Sequence, residues 1–167
     1  MRHREPGGSP EALPAAAGYR FAIVVSRFNH AITDALRSGA RAALGDAGAG
    51  DADVEEFDVP GAYELPQAAR AIAETGRFDA VICLGCVIRG DTDHYDHVAS
   101  TAASGIAQVA LDTGVPVLFG VLTCENLEQA LQRAGGKAGN KGFDAALAAI
   151  EMVNLMRTLP LPEGPRS

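Results

Sequence analysis

One segment, Asp91-Thr-Asp-His-Tyr-Asp-His97, gathers more polar chemistry than any other in the chain. Its residues suit three kinds of work. His94 and His97 lie three apart on what reads as a helix face, so with a nearby carboxylate they form a candidate metal site. An EF-hand loop is excluded, because its sixth position would be Asp96 rather than Gly and its twelfth Ala102 rather than Glu. Alternatively, Gly90-Asp91-Thr92 presents backbone N–H groups and a hydroxyl at a helix N-terminus, where a phosphate is stabilised, while His94 transfers protons near neutral pH. The plainest reading is a solvated helix start with Asp at capping positions.

Other candidates lie elsewhere. Glu64, in Val59-Pro-Gly-Ala-Tyr-Glu64, could accept hydrogen bonds from a polyol or an amine, or could be an ordinary first-turn carboxylate. Lys137 and Lys141 lie within, and Arg133 just before, a glycine-rich stretch, Gly135 to Gly142, that lacks the Gly-Lys-Ser/Thr of a Walker A loop. It reads as a helix–helix connection or an anion site. Cys83-Leu-Gly-Cys86 has the spacing of a redox or zinc pair. In an extended strand, however, side chains three apart point to opposite faces, so both read as buried structural thiols.

These residues need a frame, and the apolar pattern supplies one. Phe21 to Val25, Ala80 to Ile88 and Val117 to Leu122 are short apolar runs, and Val54 to Val59 alternates up to Pro60-Gly61; all four read as strands. Between and after them, helical patterns run over Ile32 to Leu44, about Glu64 to Thr75, about Tyr95 to Thr113, Glu125 to Ala134 and Gly142 to Arg157. Pro66 is tolerable in a first helical turn, and Gly114 with Pro116 closes the third helix. Strands apolar on both faces and alternating with helices imply an α/β domain, a parallel sheet covered on either side. In such sheets ligands bind beyond the carboxyl ends of the strands. That places the candidate site at Ser26 to His30, Pro60 to Glu64, Cys86 to His97 and Thr123 to Asn126.

Composition limits the partners. The 167 residues are 47% apolar and carry a formal charge of −7, so a core is affordable without disulfides, and bulk attraction to nucleic acid or an anionic membrane is disfavoured. Any bound anion requires a local cationic cluster. Three cysteines in apolar runs suit a reducing cytoplasm. Residues 1–18, rich in Pro and Gly, read as a flexible arm rather than a signal peptide; 19–158 read as one domain and 159–167 as a tail.

Taken in order, Arg27-Phe-Asn29, Pro60-Gly-Ala-Tyr-Glu64, Gly85-Cys-Val-Ile-Arg-Gly-Asp-Thr-Asp-His-Tyr-Asp96, Phe119-Gly and Arg133-Ala-Gly-Gly-Lys-Ala-Gly-Asn-Lys-Gly142 resemble the 6,7-dimethyl-8-ribityllumazine synthases, over about Phe21 to Arg157. The resemblance implies a flavodoxin-like three-layer α/β/α sandwich with a four-stranded parallel sheet of order 2-1-3-4. It also implies a transferase of riboflavin biosynthesis that joins 5-amino-6-(D-ribitylamino)uracil to 3,4-dihydroxy-2-butanone 4-phosphate, with no metal or cofactor. By position it makes His94 the catalytic histidine and Phe28 the aromatic stacked on the pyrimidine. Ala62, Tyr63 and Glu64 fall on the ribityl-contacting segment, and Cys86, Val87 and Ile88 on the ring-edge segment. Asp91, Thr92 and Arg133 fall on the phosphate site, Phe119 on a pocket wall, and Lys141 on a supporting cation.

The resemblance further implies a homopentamer with sites shared between neighbours, Phe119 and Arg133 coming from the adjacent chain. The short Gly135 to Gly142 connection is similar to that of members forming icosahedral shells, which would make riboflavin synthase a cargo; a pentamer or decamer is the other assembly. Two positions depart from the family pattern: Asp91 stands where an uncharged residue is frequent, and Cys86 where Thr often occurs. A non-catalytic flavin or lumazine carrier, or a shell-forming paralogue, would keep the pocket. Retained His94, Arg133 and Asp91-Thr92 argue against a carrier, which needs no phosphate-leaving site.

Overall fold

The computed structural model describes residues 14–90, 94–160 and 162–163. Strand β1 (Phe21–Ser26) leads into α1 (His30–Asp46), and β2 (Val54–Val59) through a single 3-10 turn (Ala62–Glu64) into α2 (Leu65–Glu74). β3 (Ala80–Ile88), α3 (His94–Thr113), β4 (Val117–Cys124) and α4 (Leu127–Arg133) follow. A hairpin of two very short strands, β5 (Ala134–Gly136) and β6 (Gly139–Asn140), then delivers the chain to α5 (Lys141–Thr158).

The sheet has the order β2-β1-β3-β4 with every pair parallel, the flavodoxin-like arrangement the resemblance implies. Side chains alternate along its strands, so each strand feeds two cores. Phe21, Ile23 and Val25 of β1, with Ile82, Leu84 and Cys86 of β3, meet Leu36 of α1 and Ala146 and Ile150 of α5 on one face. Ala22, Val24, Val81 and Cys83 meet Leu65 and Ala69 of α2 and Ala102 and Ile106 of α3 on the other. Fully burying a side chain such as Leu36 or Ile82 contributes about 1.5–3 kcal/mol. β1 and β3, enclosed on both faces, are buried over almost their whole length.

The two cysteines of Cys83-Leu-Gly-Cys86 enter opposite cores, Cys83 towards α2 and α3 and Cys86 towards α1 and α5. Both are free and buried, as is Cys124, so the C-x-x-C spacing is that of packed thiols.

The helix ends are set by side chains that local sequence supplies. Asn126 Oδ1 accepts from Gln129 N at 2.9 Å to start α4. Asn140 Oδ1 accepts from Gly142 N at 2.8 Å and Phe143 N at 3.1 Å to start α5, while its Nδ2 donates to Ala35 O at 3.0 Å and ties that start to α1. α1 and α5 approach so closely at Gly142 that a Cβ there would collide with the carbonyl oxygen of Leu36. Only glycine fits.

Several bounds differ from the sequence expectations. β4 continues through Cys124, two residues past the expected end, because Val87 and Ile88 pair with Thr123 and Cys124. The Gly135 to Gly142 stretch is a hairpin rather than a plain connection, with Gly135 at φ 113° and Gly139 at φ 82° supplying conformations other residues disfavour. Residues 14–18 lie against the domain: Ala16 is buried and its N–H donates to Ala47 O at 2.9 Å. Residues 1–13 lie outside the described residues.

Candidate active site

The ends of β1, β2 and β3 open into a cavity of about 580 Å³. Each is followed by a turn that contributes lining. Phe28 comes from the β1–α1 turn. Pro60, Gly61, Ala62, Tyr63 and Glu64 come from the β2–α2 turn, and Cys86, Val87, Ile88 and Gly90 from the end of β3. His94, Tyr95 and Val98 of α3 close the far side. Of the expected site residues, Phe28, Ala62, Tyr63, Glu64, Cys86, Val87, Ile88 and His94 therefore share one cavity.

The lining is apolar with a few polar groups at its edge, the usual character of a small-molecule site. Phe28 is 70% exposed and Tyr63 60%. An aromatic ring so uncovered at a cavity mouth leaves a face free for a flat ligand ring. Ala62 is buried and pinned to the sheet opposite Gly85, where a Cβ would stand 3.6 Å from that of Ala62 and 3.2 Å from Leu65 Cδ1. Glu64 is half-buried and folds back so that its Oε2 lies beside Gly61.

Backbone and side-chain straps hold the turns in place. Arg27 N donates to Val59 O at 2.8 Å and Phe28 N to Pro60 O at 3.2 Å, joining the β1 and β2 turns. Asn29 Nδ2 donates to Cys86 O at 2.9 Å, joining the β1 turn to β3. On the other side, Arg89 N donates to Cys124 O at 2.8 Å. The Arg89 guanidinium lies 4.7 Å from the Tyr95 ring centroid, 3.0 Å from Glu125 Oε2 and 3.7 Å from Asp96 Oδ1. It thus anchors the first turn of α3, which carries His94. Neither Asn29 nor Arg89 had a role in the sequence reading. The signals were faint: an Asn directly before a helix, and an Arg next to a glycine at a strand end.

Burial, with Cys124 as a second and lesser cause, pushes the Cys86 thiol up to about 12. At neutral pH it is therefore a protonated, weakly polar part of the wall and no nucleophile.

Three expected residues stand away from this cavity. Phe119, in β4, is half-buried beside the core under α2 and α3. Arg133, at the end of α4, is exposed and directs Nη1 to Gln129 Oε1 at 3.4 Å and Cys124 Sγ at 3.6 Å. Lys141 begins α5 and is half-buried. None of the three lines the cavity. Asp91 and Thr92, expected at the phosphate turn, lie outside the described residues. Among the described residues no group of three or more His, Cys, Asp or Glu is gathered as a metal ion would need. Among them, too, no helix is long and apolar enough to cross a membrane.

A family model described as 6,7-dimethyl-8-ribityllumazine synthase matches residues 18–157. A protein of that name from Deinococcus deserti is 55% identical over 150 residues, which span 90% of this chain and 96% of the relative.

Proposed function

The chain belongs to the 6,7-dimethyl-8-ribityllumazine synthase family, and we propose from that premise how its own residues carry the reaction. It is an enzyme of riboflavin biosynthesis, a transferase that condenses 5-amino-6-(D-ribitylamino)uracil with 3,4-dihydroxy-2-butanone 4-phosphate and releases phosphate and water. The observation that carries the assignment of residues is the single cavity that brings Phe28, Glu64, His94 and the Cys86–Ile88 strand end together.

The pyrimidine stacks on the open face of Phe28, and its polar edge meets the backbone of Cys86, Val87 and Ile88. The ribityl chain runs along Ala62, Tyr63 and Glu64, whose carboxylate accepts hydroxyl hydrogen bonds. The ketone phosphate lies towards Gly90 and the start of α3, held by backbone N–H groups of Asp91 and Thr92, the Thr92 hydroxyl and the Arg133 guanidinium. The substrate amine attacks the ketone and water leaves to give the Schiff base; phosphate then departs by β-elimination, and ring closure releases water again. Each step moves a proton, and His94 at the cavity wall is the group able both to give and to take one near neutral pH. Holding two reactants in register supplies most of the acceleration, because a bimolecular condensation becomes effectively unimolecular.

Phe119, Arg133 and Lys141 complete the site from a neighbouring chain in a pentamer, which stands alone or assembles to a decamer or to an icosahedral shell, the shell having riboflavin synthase as its cargo. The position of all three outside the cavity of their own chain supports this. So do the exposed apolar side chains of α4 and α5, Leu127, Leu131, Leu155 and Met156 among them. Three free thiols, all buried, accord with a cytoplasmic setting.

The test is the two-substrate assay, followed by lumazine absorbance, on size-resolved fractions. Lumazine formation confined to pentamer-sized or larger fractions is expected. Equal activity per chain in a monomer fraction would remove the shared site.

A further inference from the structure

Asn29 is the only non-glycine residue with positive φ among those described, at φ 61° and ψ 46°. It precedes α1 at the N-cap, where backbone is ordinarily extended and the side chain accepts an N–H of the first turn. Here the side chain makes no such bond. The backbone oxygen of Asn29 takes the N–H groups of Ile32 at 2.9 Å and Thr33 at 3.0 Å instead. The carboxamide, released from capping, crosses to β3 and donates Nδ2–H to Cys86 O at 2.9 Å.

The acceptor explains the detour. β1 and β3 pair as far as Val25 and Leu84, so the carbonyl of Cys86 lies beyond the last rung. The carboxamide therefore adds a rung made by a side chain, and asparagine tolerates the left-handed backbone that aims it there. Both ends of this bond border the cavity: Phe28 is the residue before Asn29, and Cys86, Val87 and Ile88 lie at the acceptor. On the β2 side the same turn is fastened by backbone bonds, Arg27 N to Val59 O and Phe28 N to Pro60 O. No substitution short of proline removes those. The strap to β3 runs through one side chain.

We propose that Asn29 is a positioning residue that sets the gap between the Phe28 ring and the Cys86–Ile88 peptide edge, and hence the affinity of the site for its planar heteroaromatic substrate. The proposal rests on the reading of this cavity as the ring-binding site. It separates two substrates: the heteroaromatic one needs both walls at a fixed spacing, whereas the phosphorylated ketone is held at the start of α3, away from the strap.

The test uses Asn29→Gly, which keeps the left-handed backbone and removes the carboxamide, and Asn29→Asp, which keeps size and backbone tolerance but sets a carboxylate against a carbonyl oxygen. KM for each substrate, kcat and the urea midpoint are measured on the full chain. Asn29→Gly should raise KM for the ribitylaminouracil roughly five- to tenfold, the worth of one net hydrogen bond. KM for the ketone phosphate and kcat should stay within about twofold, and Asn29→Asp should raise the uracil KM at least as far. Unchanged KM values in Asn29→Gly would overturn the proposal. So would a loss confined to kcat, or equal rises in both KM values with a lowered urea midpoint, the mark of a merely structural role. A wild-type protein that makes no lumazine from the two substrates would remove the reading of the site and this proposal with it; a wild type that turns over while Asn29→Gly matches it removes the proposal alone.

Discussion

Phe28 is 70% exposed, so its ring adds little to the core and is free to serve a ligand. Phe28→Ala should leave the unfolding midpoint nearly unchanged while raising KM for the ribitylaminouracil about tenfold, since an aromatic contact contributes about 0.5–1.5 kcal/mol beyond its area. Steady-state kinetics and thermal melts on the same preparation check the split. His94 should behave differently. His94→Ala is expected to lower kcat by about 10²-fold or less and to leave product binding intact, because general acid–base help is only part of an acceleration dominated by holding the reactants. Complete loss of turnover in a folded protein would contradict that division. Both residues were legible in the sequence, His94 from the density of polar chemistry around it and Phe28 from its motif. Asn29 was not assigned a role, because its work depends on a carbonyl 57 positions away that no local pattern announces.

The elements hold their own dependencies. At Gly142 a Cβ would strike a backbone carbonyl of α1, which cannot rotate away. Gly142→Ala should therefore cost about 2 kcal/mol or more, within or above the usual range for overpacking, read as a lowered urea midpoint at constant slope. Cys83 and Cys86 give β3 a pH dependence. Burial raises the thiol of Cys83 from 9.0 to about 12, and that of Cys86 likewise. Above the unfolded value the unfolded chain loses protons that the folded one keeps, so stability is fully present below about pH 9 and is lost as pH rises towards 12. Each thiol adds a slope of about 1.4 kcal/mol per pH unit in that window. Urea titrations at pH 8 and 10 with reductant should show it, and Cys83→Ala should remove part of it. The strands were readable because runs of apolar, often β-branched residues are bounded by glycine, proline and polar turns. The end of β4 and the β5–β6 hairpin were not. Whether Thr123-Cys124 extends a strand is decided by its partner Val87-Ile88, and the hairpin by the positive-φ glycines between Arg133 and Lys141.

At the scale of the whole molecule, the separation of Phe119, Arg133 and Lys141 from the cavity makes a prediction that single variants cannot. If neighbouring chains share each site, His94→Ala and Arg133→Ala proteins, each impaired alone, should regain activity when unfolded together and reassembled, since a fraction of sites then receives both intact residues. Absence of any recovery above the mean of the parents would count against sharing. Position along the chain also sets the sequence of events as it leaves the ribosome. Among the described residues, all that line the cavity fall from Phe28 to Val98, so this part of the site has been synthesised while the 69 residues from 99 to 167 are still to come. Yet the opposite core is completed only by Ala145, Ala146, Ala149, Ile150 and Val153 of α5. A nascent chain paused before α5 would hold its own share of the ligand contacts on a sheet whose α1-side core still lacks α5, and its release would depend on the C-terminal helix arriving before another chain does.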